Sequence, residues 1–158
     1  MRVEYINPFV ESAYNVLKEV LNGSDVKRGD LYLKNSSMKI MGVAALVGLA
    51  GDVEGRVMFD MTKETALKVA GSMNGGETFK TLDEMAKATI TELANMITAQ
   101  AVSKLHELGF TFDLTPPALF SGENMEIANT LQVEALIVPM ELTNIGTIEV
   151  NVVVRERQ

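Results

Sequence analysis

The sequence predicts a single α+β domain, residues 1–158, in which helices cover a mostly antiparallel sheet. Three observations lead to this expectation. Apolar residues recur at helical spacing through the long segment 81–108. Residues 147–155 alternate apolar and mostly polar side chains, as a strand with one buried face does. No stretch rich in Pro, Gly, Ser or like charges divides the chain, so nothing marks a linker between domains.

The first helix is predicted from a start signal and an apolar stripe. Asn7 can cap a helix and Pro8 suits its first position, so we expect a helix over residues 8–22 that ends at Gly23. The stripe on one face consists of Val10, Ala13, Tyr14, Leu17 and Leu21.

Strands and a short helix are predicted next. The strands are expected, in order, at residues 31–35, 38–50 and 55–61. Alternating polarity indicates the first, an apolar run indicates the second, and a preceding Gly51-Asp52 turn indicates the third. Thr62 then caps a second helix that ends within residues 71–76.

The third helix is the longest predicted element. Thr81 and Glu84 match a capping box and Gly109 ends the helix, so residues 81–108 extend roughly 40 Å. The apolar stripe expected to face the core consists of Leu82, Ala86, Ile90, Leu93, Ile97, Ala101, Leu105 and Leu108.

The remainder of the chain is predicted to be β structure. Strands are expected at residues 110–114, 118–121, 131–142 and 147–155. The face of the last strand that is predicted to be largely wet carries Thr147, Glu149, Asn151 and Val153. The order of helix, hairpin, helices and strands suggests a duplicated unit, although no sequence repeat is legible.

Composition excludes several classes of function. The chain has no cysteine, which excludes thiolate catalysis and cysteine metal sites. Its single histidine, His106, disfavours a Ser-His-Asp triad and a histidine metal cluster. We therefore expect no metal site in this chain. A net charge of -7 disfavours nucleic acid and anionic membranes as partners. The absence of a signal-peptide pattern and of a long apolar run favours a cytoplasmic protein without a membrane span.

An acid and an amide in the middle of the long helix are the most informative feature. Glu92 and Asn95 stand three residues apart, which places them on one helix face almost opposite the apolar stripe. Small side chains surround them where a solvated helix usually carries Lys or Glu. We therefore predict a docking surface for a partner, formed around the pair by Ala88, Met96, Ala99 and Ser103.

The spacing alone carries little weight, because Glu and Asn three residues apart occur five times in this chain. The other four pairs fall at expected caps, helix ends or turns and are Glu4/Asn7, Glu19/Asn22, Glu126/Asn129 and Glu141/Asn144. Only Glu92 and Asn95 are predicted mid-helix, where propensity disfavours asparagine. On the residues alone, Asn95 as a tolerated, solvated side chain stays an open alternative.

The helix that carries the pair resembles that of a known family. Residues 88–99, which read Ala-Thr-Ile-Thr-Glu-Leu-Ala-Asn-Met-Ile-Thr-Ala, resemble the phosphatase helix of the CheC/CheX/FliY family, and the whole chain is most similar to its CheX branch. The resemblance implies a chemotaxis phosphatase that hydrolyses the aspartyl phosphate of CheY, a two-component response regulator. Glu92 and Asn95 would then be its catalytic residues.

The mechanism that the resemblance implies requires no nucleophile from the phosphatase. Asn95 would position the attacking water, and Glu92 would contact the active-site lysine of the regulator. The chain would need no cofactor of its own, because Mg²⁺ would be held by the bound response regulator.

Two departures from the family pattern bear on the number of sites. CheC-type members often have Asp or Ser four residues before the Glu, where this chain has Ala88. They also carry a second site in the first helix, where this chain offers Glu11 and Asn15 at the wrong spacing. Glu19 and Asn22 match the spacing but fall at the expected helix end, so we predict one site per subunit.

Two other functions stay open. The chain could be a response-regulator-binding or flagellar-switch-like scaffold without phosphatase activity, as some relatives of the family are. It could instead be a small-molecule hydrolase, although the sequence offers no pair of nucleophile and base. The strand-rich C-terminal half can leave sheet edges unpaired and, with the family resemblance, this predicts a homodimer.

Overall fold

The computed structural model describes residues 3–21, 24–35, 37–128 and 133–157, and it confirms the α+β class. Three helices pack on one face of an eight-stranded antiparallel sheet, and a two-stranded ribbon lies on the other face. The helices are α1 (Val3–Val20), α2 (Lys63–Met73) and α3 (Glu84–Glu107). The strands are β1 (Val26–Arg28), β2 (Tyr32–Lys34), β3 (Met38–Lys39), β4 (Val43–Gly51), β5 (Val53–Met61), β6 (Phe112–Leu114), β7 (Ala118–Ser121), β8 (Glu126–Ile127), β9 (Ala135–Leu142) and β10 (Gly146–Glu156). No helix in this part of the chain combines the length and the apolar character needed to cross a bilayer.

One apolar cluster joins the sheet to the helices. Val150 on the central strand β10 lies opposite Phe59 on β5 and Val138 on β9, so three strands present apolar side chains in one row. Phe9 of α1 and Ile97 of α3 are fully buried in the same cluster. Since each fully buried side chain of this size contributes about 1.5–3 kcal/mol, the sheet and the two long helices stabilise one another.

The sheet consists of two related halves. Hairpin β4–β5 follows α1, hairpin β9–β10 follows α3, and β5 pairs with β10 at the centre. Strands β1 and β2 pair with β9 in the way that β6 and β7 pair with β4, and β3 pairs with β8. The topology therefore confirms the suggested duplicated unit, with α2 inserted after the first half.

The start of α3 differs from the prediction. Asp83 is the N-cap, and its carboxylate accepts a hydrogen bond from the Ala86 N–H at 2.8 Å. The predicted capping box of Thr81 and Glu84 is therefore wrong, because the helix begins two residues later than the box requires and the amide that is capped is Ala86 rather than Glu84. The apolar stripe is buried within the helix, whereas Leu108 at the C-cap is 60% exposed.

The start of α1 also differs. The helix spans Val3–Val20, so Pro8 lies inside it and Asn7 is not its cap. Packing of the buried Tyr5 against the core stabilises the turn before the proline, although Pro8 lacks a helical N–H donor. The predicted end, at residues 22–23, lies outside the described residues.

The predicted strands need three corrections. Residues 38–50 form two strands instead of one, because the chain bends at Gly42, whose φ of 151° suits glycine. Strands β1 and β8 have no counterpart among the predicted elements, since three and two residues are too few to show a period. The strand predicted at residues 131–142 begins at Ala135, and residues 131–132, where it was expected to start, lie outside the described part of the chain.

The outer face of β10 was predicted to be largely exposed to solvent, and this prediction is wrong. Asn151 and Val153 are both buried. Met38 of the β3–β8 ribbon packs over this face, and the Asn151 amide donates to its sulfur at 2.7 Å. Alternation of polarity thus located the strand correctly but did not reveal that both of its faces are covered.

A buried carboxylate joins the bend after β3 to the sheet. Asp60 on β5 is 1% exposed, and its two oxygens accept from the Met41 N–H at 3.0 and 3.3 Å. Burial raises the pKa of Asp60 to about 6, and the negative charge of Glu149, directly opposite on β10, acts in the same direction. An aspartate in the unfolded chain has a pKa of about 3.9, so the native state binds more protons between about pH 4 and 6. The contribution of Asp60 to stability therefore grows as the pH falls through this window and is lost as the pH rises through 6.

We expect Asp60→Asn to make the free energy of unfolding less dependent on pH between pH 7 and pH 5. The amide keeps an acceptor for Met41 but carries no charge, so near pH 7 the variant should be more stable by on the order of 2 kcal/mol. Urea unfolding at both pH values measures the effect, and Asp113→Asn, at an exposed position on β6, is the matched control. An unchanged pH dependence would contradict the raised pKa of Asp60.

Candidate functional site

Glu92 and Asn95 lie near the middle of α3 on its solvent side. Both side chains are exposed, whereas the neighbouring Leu93 and Ala94 are buried in the core. The predicted orientation opposite the apolar stripe is therefore confirmed. Among the described residues, none forms an ion pair with Glu92, so its carboxylate is available to a partner.

The small residues around the pair form an open surface. Ala88, Ala99 and Ser103 are exposed on the same face of α3. Met96 is half-buried and packs against the core, so it borders the pair without covering it. We call Ala88, Glu92, Asn95, Ala99 and Ser103 the α3 face.

A contact that sequence reasoning did not anticipate holds α2 beside the α3 face. Asn74, the C-cap of α2, donates from its side-chain amide to the Ala70 carbonyl at 2.7 Å and to Thr89 Oγ1 at 2.9 Å. Thr89 lies one turn before Glu92. No local pattern signals this contact, because it joins two helices across a loop.

The two halves of the fold can be aligned through their long helices. The buried positions Tyr5, Ile6, Phe9, Val10, Ala13 and Leu17 of α1 have the same spacing as Leu93, Ala94, Ile97, Thr98, Ala101 and Leu105 of α3. In this alignment Glu4 and Asn7 correspond to Glu92 and Asn95. Because α1 begins at Val3, that pair is also helical, which corrects the expectation that Asn7 caps the helix. It lies near the start of α1, whereas Glu92 and Asn95 lie mid-helix as predicted.

The surroundings of the two pairs differ. Glu11 and Asn15, predicted as the first-helix counterparts of the pair, instead correspond to Ala99 and Ser103. On α1 a charged and an amide side chain thus occupy the positions that are small on α3, and Glu11 is bound by Lys104 at 3.4 Å. The open surface is therefore present on α3 only, and one site per subunit stays our prediction.

The chemistry available on the α3 face is that of a carboxylate and a carboxamide. The amide can donate and accept hydrogen bonds without titrating, and the carboxylate can bind a cation. His106 is exposed in the last turn of α3, about 16 Å along the helix from Asn95, and is too far away to assist them. The pair lies on a convex helix surface, which suits insertion into the site of another protein.

A separate cleft of about 740 Å³ opens beside the start of α3. Its lining includes Lys63, Lys87 and Glu123 and the hydroxyls of Thr81 and Ser121. In the described part of the chain neither hydroxyl is hydrogen-bonded to a base, and no histidine lines the cleft.

The sequence comparisons match this chain to chemotaxis phosphatases. The family model described as "Chemotaxis phosphatase CheX" matches residues 43–141, which include all of α3. The CheY-P phosphatase CheX of Thermotoga maritima is 33% identical over 127 residues, which cover 80% of this chain and 81% of that protein.

Solved structures agree with the sequence matches. A chain of the CheX-CheY-BeF3-Mg²⁺ complex from Borrelia burgdorferi is 44% identical with a TM-score of 0.85, covering 98% of this chain and 100% of that chain. A CheC-like superfamily protein from Shewanella sp. PV-4 is 30% identical with a TM-score of 0.87, covering 98% and 99% of the two chains.

Proposed function

This chain belongs to the CheX family of chemotaxis phosphatases, and we propose that it hydrolyses the aspartyl phosphate of a CheY-type response regulator in the cytoplasm. The observation that carries the proposal is the exposed pair Glu92 and Asn95 in a surface of small side chains. The names of the Thermotoga and Borrelia relatives support the choice of partner, since one is a CheY-P phosphatase and the other forms a complex with CheY.

Asn95 positions the attacking water in this proposal. An acyl phosphate hydrolyses readily once a water is held in line with the phosphorus atom. The carboxamide offers one acceptor oxygen and two N–H donors, so it can fix the orientation of a single water. Its place on a well-packed helix limits the movement of the backbone that carries it.

Glu92 sets the register of docking. It lies one turn before Asn95 on the same face, and its carboxylate can form a charge-assisted hydrogen bond with the active-site lysine of the regulator. Ala88, Ala99 and Ser103 have short side chains, which lets the partner approach α3 closely.

Mg²⁺ belongs to the regulator in this proposal. Carboxylates of the regulator would hold the ion, which would supply positive charge to offset the charge that develops on the phosphoryl group. The phosphatase then contributes geometry rather than a metal ligand or a nucleophile, which is compatible with a chain that has no cysteine and one histidine.

We also propose that two copies of the chain associate through an apolar groove of about 530 Å³ next to β2. Leu31, Leu33 and Val3 border this groove and are unusually exposed for apolar side chains. Exposed apolar patches beside short edge strands are typical of surfaces that pair with another chain. The lining of the groove includes Asn7 and no residue of α3, so the dimer would cover the amide of the α1 pair and leave the α3 face open.

We expect Asn95→Ala to reduce the maximal acceleration of phosphoryl decay by on the order of 10²-fold, as other positioned polar groups do. Affinity for the regulator should change little, because the amide acts on water rather than on the protein surface. The measurement is loss of radiolabelled phosphate from a purified CheY-type regulator. Asn7→Ala, which truncates the corresponding amide on α1, is the matched control and should act like the parent protein.

Different results would identify different errors. Full activity of Asn95→Ala would remove this residue from the mechanism. An equal loss in an Asn7→Ala protein that has kept the parent's mass in solution would show that two sites operate. A parent protein that binds the phosphorylated regulator without shortening its lifetime would be a scaffold rather than a phosphatase.

We expect Glu92→Ala to weaken both binding and turnover. The change removes the partner of a regulator lysine, so Kd should rise by about tenfold or more. Titration of the regulator by calorimetry measures Kd, and the decay assay measures turnover. Glu107→Ala removes an equal charge from the same helix about 22 Å away and should leave both unchanged. Glu92 has no part in docking if its variant matches this control.

We expect Leu33→Glu to convert the dimer to a monomer, because it puts a charge into the apolar groove. Light scattering coupled to size-exclusion chromatography gives the mass of each species. Leu108→Glu changes a leucine of similar exposure, 60% against 57%, at a different place and should remain dimeric. A parent protein that is monomeric at high concentration would overturn the dimer, and a dimeric Leu33→Glu would overturn this interface.

A further inference from the structure

We propose that Thr98 is a positioning residue that orients Asn95 through the backbone of α3. The proposal rests on the catalytic role proposed above for Asn95 and assigns a task to a buried hydroxyl that the docking surface does not use.

Thr98 contacts the peptide groups on both sides of the Asn95 Cα atom. Its Oγ1 donates to the carbonyl of Ala94 at 2.9 Å and lies 3.3 Å from the carbonyl of Asn95 itself. The side chain is 0% exposed, so no partner protein and no bulk water competes for the hydroxyl. One proton is thus shared between the two carbonyl groups that flank the proposed catalytic residue.

Packing alone does not explain a threonine at this position. In the alignment of α1 with α3 the counterpart of Thr98 is Val10, which has the same shape, lacks the hydroxyl and is buried in the same core. The helix without the open surface therefore fills this position with valine. Only the helix that carries Glu92 and Asn95 has a hydroxyl there.

The hydroxyl is not needed to satisfy the helix. The carbonyls of Ala94 and Asn95 already accept the backbone N–H groups four residues later, as in any α-helix. An additional donor on such carbonyls tilts them and bends the helix slightly. Since the Cα–Cβ bond of Asn95 is rigidly attached to the tilted peptide groups, the bend changes where the amide points.

Thr91 shows that the contact with Asn95 is specific. Its hydroxyl also binds a carbonyl four residues earlier, that of Lys87 at 2.9 Å. This bond lies before Glu92, and the Thr91 hydroxyl forms no second hydrogen bond with the carbonyl of Glu92 or Asn95. Thr91 therefore serves as a control that has the same chemistry at another place in the helix.

The test compares Thr98→Val, Thr98→Ser and Thr91→Val in the phosphoryl-decay assay. Because a misplacement of about 1 Å can cost up to about 10²-fold in rate, we expect a more modest tilt in Thr98→Val to lower kcat by about fivefold. Kd for the regulator and the melting temperature should stay close to those of the parent. Thr98→Ser keeps the hydroxyl and should restore kcat, and Thr91→Val should match the parent.

A double variant separates positioning from a general effect on the fold. If Thr98 acts through Asn95, then Thr98→Val should cause no further loss of kcat when it is added to Asn95→Ala. Additive losses, or a parent-like kcat in Thr98→Val while Asn95→Ala is impaired, would overturn the inference and leave the proposed function intact. Full activity of Asn95→Ala would overturn both.

Discussion

The burial of one face of α3 against the sheet is the constraint on which the rest of the structure depends. Leu93 and Ile97 are held in the same cluster as Phe59 and Val150, so α3 cannot rotate about its axis without losing several buried side chains. Glu92 and Asn95 are exposed as a direct result. A rigid core thus determines the direction in which two surface side chains point.

The two halves of the fold show how one architecture can support a site on one helix only. Both long helices bury the same pattern of positions and both carry Glu and Asn at the same place. What separates them is the neighbourhood: Ala99 and Ser103 leave α3 open, whereas Glu11 and Asn15 occupy the equivalent places on α1. Access for a partner, rather than the spacing of the pair, distinguishes the two helices.

Most of the candidate site could be predicted because it lies on one long helix. A period of 3.6 residues sustained over many turns fixes which side chains share a face, and that period placed Glu92, Asn95, Ala88, Ala99 and Ser103 on the solvent side. The contact from Asn74 to Thr89 was not predictable, because it depends on how α2 returns to α3.

The sequence by itself determined the α+β class, the hairpins, the long helix and its exposed pair, since each depends on local periodicity or on turn residues. Other features were decided by the tertiary structure alone, because at those places contacts between distant segments outweigh the local sequence signals. Packing of Tyr5 extends α1 past its apparent cap, and the β3–β8 ribbon buries Asn151 on a face with the pattern of an exposed one. The alignment of α1 with α3 likewise appears only in the fold, because it depends on burial at matching positions, most of which carry different residue types.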